Sequence, residues 1–561
     1  MEPGESDVTA ADIIITNGRV LTMDDVHPIA DAVAITSNNI IAVGSRADID
    51  GLRAKHTRVI DAGGGTVTPG LIEGHIHLFM GAAELDNLDL SGVHGLDALM
   101  AAVRRYAAAK PGLRLVFANQ VSYTVLGDHV MPTRHDLDRA MPDRPFAMMT
   151  YDHHTVFANT RALELAGVLR GAAVPKGAEI VMGSDGLANG ELREPGAFRY
   201  ILALTPTAGR DALGYTEAEN PSPAATAAER ALDRGIVLRG QKYCAGHGFT
   251  SVHNMDGNFY QLELLQEIDA AGDCLVRCQS PFHFKNTFAL SRLDEATEMH
   301  RRFASERVSS GRVKLFMDGV IESWTALTLQ DYPDKPGCFG APNFSAQEFK
   351  DFAVAADRRG LQICVHAIAD GAVRRTLDGF AAARTANGAR DSRHRVEHIE
   401  TIHPADLPRL KELGVVASVQ PTHAPGVVFP EQPGLSRVRS RDLPYAYAWQ
   451  SIRDAGARIM FNSDWPVSPI NPMLSIKGAM LRKPYRPGDP PQRQTLMQAL
   501  HGYTTGAAYG EFMEHRKGML RSGMLADVAV WSADLTKCAP EQLPTVTATT
   551  TICNGRVTHE S

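Results

Sequence analysis

The chain has 561 residues, 44% of them apolar and 22% charged, and 57 Lys+Arg against 64 Asp+Glu give a formal net charge of -7. This excludes fibrous, collagen-like and wholly disordered classes, and at about 150 residues per domain it suits three or four domain-sized units, or one large barrel with additions. The mild acidic balance, without a Lys/Arg block, argues against a nucleic-acid partner, and no apolar run reaches the roughly 18 residues of a membrane span. Met1 to Ala11 is acidic and polar and lacks the basic start and apolar stretch of a secretory signal. The seven cysteines are scattered with no CxxC pair, so free thiols in a reduced cytoplasm are expected.

In chain order, Asp12 to Val43 reads as short strands and turns (IIITNGRVLTM, then AVAITSNNIIAVG), with Asn17-Gly18 a hairpin-type turn between apolar runs. The far end repeats this texture in Asp527 followed by VAVW and in TICNGRV from Thr551. One small β unit built from both ends, residues 1–65 and 515–561, is expected; two unrelated β flaps would look the same locally. Between them, apolar strands alternate with helical stretches: VKLF (313–316), LQICVHA (361–367), RHRVEHI (393–399), VVASVQP (415–421) and RIMFNSDWP (458–466), with helices over 346–359 and 370–384. That alternation predicts βα units on a parallel sheet. Residues 66–514 exceed the roughly 250 of a typical eight-fold barrel, so an insertion is expected, best placed at about 90–230.

Several residues at the ends of these strands are candidates for chemistry. His75-Ile76-His77 puts two imidazoles on one face of a strand, half of a metal site or a structural pair. Lys314, in the middle of a short apolar strand, is costly to bury as an ammonium. It snorkels, pairs with Asp318, or loses its charge by carboxylation, which would make it an anionic ligand able to bridge two metals. His366, His398 and Asp464 each end an apolar strand, where a barrel builds its active site; core histidines and a turn carboxylate are the bland alternatives. Together the set suits zinc, manganese or iron rather than calcium, and the absence of Cys argues against a structural zinc site. No G-x-S-x-G, H-E-x-x-H or P-loop is present.

The order H-x-H, Lys, His, His, Asp resembles the amidohydrolase superfamily, and the local motifs resemble its amidohydrolase 3 group, the YtcJ-like branch that includes N-substituted formamide deformylases. The resemblance runs through PGLIEGHIH (69–77), YDHHTVFANTRAL (151–163), GELRE (190–194), VKLFMDG (313–319), VHAIAD (365–370), RHRVEH (393–398), QPTH (420–423), NSDWPV (462–467) and KGMLRSGMLADV (517–528). It implies an α/β chain with a (β/α)8 TIM-like barrel, a small β-sandwich from both chain ends and an insertion in the barrel. It implies two divalent metals, zinc favoured: His75 and His77 on the first, His366 and His398 on the second, carboxylated Lys314 between them, and Asp464 as ligand and proton shuttle. His154 and His423 are implied catalytic residues, and Glu194, Asp318 and Trp324 substrate-binding ones.

Three departures stand out. Trp324 occupies a position where the group usually has Arg, which points to a more apolar pocket. Ile368-Ala369-Asp370-Gly371 replaces the usual Ile-Gly-Asp-Arg, and Asn462-Ser463 replaces Gly-Ser before Asp464. The expected activity is hydrolysis of an amide C–N bond in a small, partly apolar molecule by metal-activated hydroxide. Ester, lactone or carbamate hydrolysis on the same site is an alternative. Deamination is disfavoured by Lys314 and by Ala369, where the superfamily's deaminases carry Glu. A metal-free scaffold would have lost ligands, and this chain keeps them. A small-molecule substrate, no nucleic acid, no membrane and a homodimer complete the expectations.

Overall fold

The computed structural model of the protein describes residues 10–127, 130–175 and 178–561, so residues 1–9 of the acidic opening and of the expected 1–65 span lie outside the described residues. The chain divides into two compact units, Met1–His77 with Gln241–Ser561, and Leu78–Gly240. The second is longer than the insertion expected at about 90–230.

In the first unit, the chain ends build two sheets. One holds Asn39–Gly44, Ala32–Thr36, Ala11–Thr16 and Arg53–Asp61 in that order. The other runs Arg556–Glu560, Ala548–Cys553, Val528–Trp531, Thr66–Pro69, Arg19–Leu21, Ile29–Ala30, so strands from both termini are hydrogen-bonded neighbours. Thr66–Pro69 pairs with Val528–Trp531 and lies beyond the limit expected at residue 65. Ile13, Ile15, Val33 and Ile35 of the first sheet share one buried apolar cluster with Val67, Val528, Val530 and Ile552 of the second. Each such side chain contributes roughly 1.5–3 kcal/mol when fully buried.

The Asn17-Gly18 expectation is corrected. The strands on either side, Ala11–Thr16 and Arg19–Leu21, belong to different sheets, so the turn is a corner and not a hairpin. Asn17 adopts the left-handed conformation (φ 56°) that the dipeptide favours, but a Cβ on Gly18 would lie 2.6 Å from Ala62 Cβ and 2.9 Å from Gly65 O. The chain is thus pressed against the 62–65 loop instead of folding back on itself. The same dipeptide at Asn554-Gly555 does close a hairpin, between Ala548–Cys553 and Arg556–Glu560.

The rest of this unit is built on parallel strands. Leu71–Ile76, Phe249–Asn254 and Arg277–Gln279 lie side by side, as do Arg312–Phe316, Gln362–Ala367, Arg395–His398, Val416–Val419 and Arg458–Phe461. Both edges are joined. Past Ser280 and Pro281 the chain continues as Phe282–His283, which pairs with Arg312–Phe316, and Ile76 bridges in parallel to Trp465 beyond the last strand. Eight parallel strands therefore follow one another in cyclic hydrogen-bonded order. Their apolar runs are buried along their length because helices cover them. Ala346–Arg358 starts with a capping box of Ser345 and Glu348, and Asp370–Asn387 stops at Gly388. Gly74 packs against the last strand, where a Cβ would lie 2.3 Å from the flexible end of the Met460 side chain.

Leu78–Gly240 carries its own mixed sheet, in the order Glu179–Met182, Ala188–Arg193, Thr155–Ala158, Phe146–Thr150, Val116–Val121, Leu88–Asp89. Apolar clusters lie against it, including Phe198 and Ile201 in one and Leu99 and Leu137 in another. Among the described residues, no helix is long and apolar enough to cross a membrane.

Candidate metal centre

His75, His77 and Asp464 offer ligand atoms within 4.8 Å of one another, and His398, His423 and Asp464 form a second such group. Asp464 is the shared member. Its Oδ1 lies 3.2 Å from His77 Nε2 and 3.4 Å from His75 Nε2, and its Oδ2 lies 3.9 Å from His423 Nε2 and 4.0 Å from His398 Nδ1. The chain positions Asp464 through the bond from its own N–H to His75 O, 2.8 Å, which ties the turn after the last strand to the first strand. Its φ of 61° and that of His398, 77°, are both left-handed, conformations that cost a non-glycine residue about 1–3 kcal/mol and cluster where a site demands them. At His398 the reason is visible. The break in extended geometry lets two consecutive residues, Glu397 and His398, both face His75: Glu397 Oε2 is 2.9 Å from His75 Nδ1, and the two imidazole rings are 5.1 Å apart.

A second set of residues orients the rings. His75 Nδ1 meets Glu397 at 2.9 Å, His398 Nδ1 meets Gln420 Oε1 at 2.8 Å, and His77 Nδ1 is 3.5 Å from Asp256 Oδ1. With the proton on Nδ1 facing those oxygens, Nε2 of each ring carries a lone pair. His366 uses the opposite nitrogen, donating from Nε2 to Gly319 O at 3.2 Å. Its ring stacks edge-on to His398 with centroids 4.5 Å apart, yet it is outside both converging groups. His423 stands in the second group instead, and its Nδ1 has a looser neighbour in Glu400 Oε1, 3.8 Å away.

Lys314 is fully buried, with Nζ 3.4 Å from His75 Nε2 and 4.5 Å from the Phe316 ring centre. Burial holds its pKa below the ordinary lysine value, with Glu397 and Asp464 only partly restoring it. Burial and the Lys314 charge push His75 down to about 3, and burial and neighbouring cations hold His366 and His398 well below the usual imidazole range. Burial works against ionised Asp464, but His75 and His77 outweigh it and keep the carboxylate well below its ordinary value. His77 differs: burial lowers it, but Asp256 and Asp464 on either side push it up to about 9. The two carboxylates call for positive charge between them, which a divalent cation on Nε2 satisfies as a proton does. Neutral imidazole lone pairs and an ionised carboxylate converging in a buried space fit a nitrogen- and oxygen-ligated divalent metal.

The remaining expected site residues have other surroundings. Asp318 is buried, and its carboxylate accepts from the N–H groups of Leu327, Ile368 and Ala369 at 2.9, 3.0 and 3.2 Å. Burial raises its pKa to about 8 against those donors. It fastens the loop after His366. Trp324 is half-buried, bonded through Nε1 to Asp334 at 3.0 Å and covered by Arg437 at 3.6 Å and Lys335 at 4.9 Å from its ring centre. His154 and Glu194 lie in the Leu78–Gly240 unit and pair with each other at 3.1 Å.

Sequence reading missed Glu397, Asp256 and Gln420. The signal for Glu397 was the one applied to Lys314, a charged residue inside a short apolar strand. Asp256 and Gln420 follow their strands in loops and carried no such signal.

The amidohydrolase family model matches residues 58–559 of the chain. The chain is 30% identical over 540 residues to Protein LONG AFTER FAR-RED 3 of Arabidopsis thaliana (93% of this chain, 88% of that one). It is 27% identical over 561 residues to the N-substituted formamide deformylase of Arthrobacter pascens, covering 98% of each. In structure it is similar to an uncharacterised metal-dependent hydrolase of Pyrococcus furiosus, with a TM-score of 0.69, 25% identity, and coverage of 92% of this chain and 97% of that one.

Proposed function

Because the chain belongs to the amidohydrolase family, we propose that it is a metal-dependent hydrolase cleaving the amide C–N bond of a small, partly apolar molecule. The observation that carries the reading is Asp464, a buried carboxylate with one oxygen facing His75 and His77 and the other facing His398 and His423. The cyclic parallel strands are read as a closed (β/α)8 barrel, and the two terminal sheets as a β-sandwich. In this reading His75, His77 and Asp464 hold a first ion, and His366 and His398 a second. His366 is preferred to His423 as ligand because its other nitrogen donates to a backbone carbonyl, the usual orienting bond of a metal-bound histidine. Neutral nitrogen and carboxylate donors favour zinc.

Lys314, as its carbamate, would be a ligand shared by the two ions. The neutral amine, favoured by burial, forms an N–C bond to carbon dioxide and releases one proton, leaving an anionic oxygen pair. The ions supply Lewis acidity, which lowers the pKa of a water and polarises the substrate carbonyl. Asp464, ionised at neutral pH, takes the proton of the attacking water and returns it to the leaving nitrogen. In this reading His423 donates a hydrogen bond to the carbonyl oxygen as it gains charge. The amide bond class is supported by the formamide deformylase relative. The proposed setting is a cytoplasmic homodimer.

Elemental analysis together with a screen of N-substituted formamides, other amides and esters tests the reading. Roughly two metal ions per chain with amide turnover are expected. Turnover of esters but not amides would overturn the bond class, and failure to take up metal would overturn the hydrolase. Lys314→Ala should lower metal content and activity, with partial rescue by a short carboxylic acid.

A further inference from the structure

A cavity of about 570 Å³ opens at the end of the parallel strands away from the metal groups. It is lined by Arg277, Arg312 and Gln362, the first residues of their strands, whereas His366 and His398 come at or near the ends of theirs. Five cationic side chains line it against three carboxylates, and the carboxylates do not neutralise what is buried deepest. Glu511 is already bound to Lys517 at 2.8 Å, His253 at 3.1 Å and Gln279 at 2.8 Å.

Arg312 is 5% exposed. One of its terminal nitrogens binds Gln279 Oε1, the other, Nη1, has no hydrogen-bond partner, and among the described residues no carboxylate stands within ion-pair distance. Arg277, 3% exposed, pairs with Asp527 at 3.4 Å and Glu306 at 3.5 Å but leaves its Nε unpartnered. Ser310 Oγ and Gln362 Oε1 are also buried without partners at this cavity. An uncompensated buried guanidinium is costly, and planar guanidinium donors match the oxygens of a carboxylate or phosphate.

We propose that this cavity is a second ligand site, which binds a small organic anion with its carboxylate or phosphate group on Arg312 and Arg277. The volume is that of a small-molecule pocket, so the anion carries a body as well as a head. The site stands independently of the chemistry at Asp464.

The test is calorimetric titration of the metal-loaded protein with inorganic phosphate and, separately, malonate, at ionic strength held constant with sodium chloride. Arg312→Gln removes the charge. Ala304→Glu, at an exposed residue of the cavity lining, supplies a tethered carboxylate without disturbing the buried network, and it separates this site from phosphate held at the metals. Saturable binding of at least one probe is expected with a Kd of about 1 mM or tighter, weakened about tenfold or more in both variants. Phosphate alone binding would assign a phosphate head, malonate alone a carboxylate. No saturable binding of either probe, or a Kd unchanged by Ala304→Glu, would overturn the proposal.

Discussion

Glu397→Gln separates two tasks that one carboxylate performs. In the wild type, Glu397 Oε2 accepts from His75 Nδ1 at 2.9 Å and from Arg395 Nη2 at 2.9 Å, while Oε1 lies 2.8 Å from Arg395 Nε. Glutamine has one acceptor atom where the carboxylate has two. If its oxygen keeps the His75 side, its NH2 faces the Arg395 Nε–H, and donor opposes donor. Glu397 is also the carboxylate within ion-pair distance of Arg395 among the described residues, and both are fully buried. Removing one partner of such a pair costs about 3–5 kcal/mol. Loss of the carboxylate behind a metal-binding histidine costs roughly 10–100-fold in metal affinity. Chemical denaturation with chelator present measures the first effect, and titration against a buffered metal measures the second. Arg395→Met combined with Glu397→Gln should recover most of the stability, because no charge is then stranded. Metal affinity should stay low, because a neutral amide polarises His75 less than a carboxylate does. A single variant with wild-type metal affinity would refute the orienting role, and one with wild-type chelated stability would refute the stranded-charge reasoning.

Asp464→Asn should retain much of its metal and lose at least about a hundredfold in kcat, the lower range for general acid–base catalysis, as read by steady-state kinetics beside metal content. His366→Ala should cut bound metal to about half, with the second site emptied, while His423→Ala should keep its metal and lose rate. The reverse pattern, measured by elemental analysis, would exchange the two assignments. Glu511 sets a pH dependence: burial raises its pKa, but Lys517 and His253 overcome that and bring it from 4.5 to about 2. A depressed carboxyl pKa stabilises the fold above the unfolded value, and the benefit disappears as pH falls from about 4.5 through 2. Wild type should therefore exceed Glu511→Gln by about 3 kcal/mol near neutrality, and the gap should close on acidification. A gap independent of pH in denaturation curves would contradict the assignment.

The strands were legible because each is a short apolar run between turn residues, and the structure places them at Arg312–Phe316, Gln362–Ala367, Arg395–His398, Val416–Val419 and Arg458–Phe461. Pairing was less legible. Asn17-Gly18 and Asn554-Gly555 are the same dipeptide with a left-handed asparagine in each, but only Gly555 is left-handed as well (φ 74°), and only the second closes a hairpin. The company of the flanking strands differs as well. Ala11–Thr16 pairs with Ala32–Thr36 and Arg53–Asp61, and Arg19–Leu21 with Thr66–Pro69 and Ile29–Ala30, all pairings set by tertiary contacts that local sequence does not encode. The histidines and Asp464 could be read because a polar residue at the end of an apolar strand is conspicuous. Asp318 was conspicuous for the same reason, and its carboxylate holds three backbone N–H groups. A buried carboxylate in an apolar stretch announces that it has partners, and only the fold says whether they are backbone, metal or substrate.

The interior of the strand ring poses a harder physical question. Glu397 meets His75, Arg395 meets Glu397, His253 meets Arg395 at 2.9 Å, and Glu511 and then Lys517 follow, all of them buried. Both terminal nitrogens of Arg395 are used here, with Nη2 also donating to Gly74 O at 2.7 Å and Ser418 Oγ at 3.1 Å. Apolar side chains of similar volume would fill the space at no loss of stability, and often with a gain. Stability is therefore a weak account of why charges alternate here. Geometry is a better one. An apolar core fixes volume, whereas a chain of charge-assisted hydrogen bonds fixes direction. The last link in the chain is His75 Nδ1, and its direction decides where Nε2 points. Arg395 also holds the carbonyl of Gly74, the neighbour of His75, and the His75 carbonyl in turn accepts the Asp464 N–H. The column is thus best understood as the support that holds the first strand's histidine in register with the last strand's carboxylate.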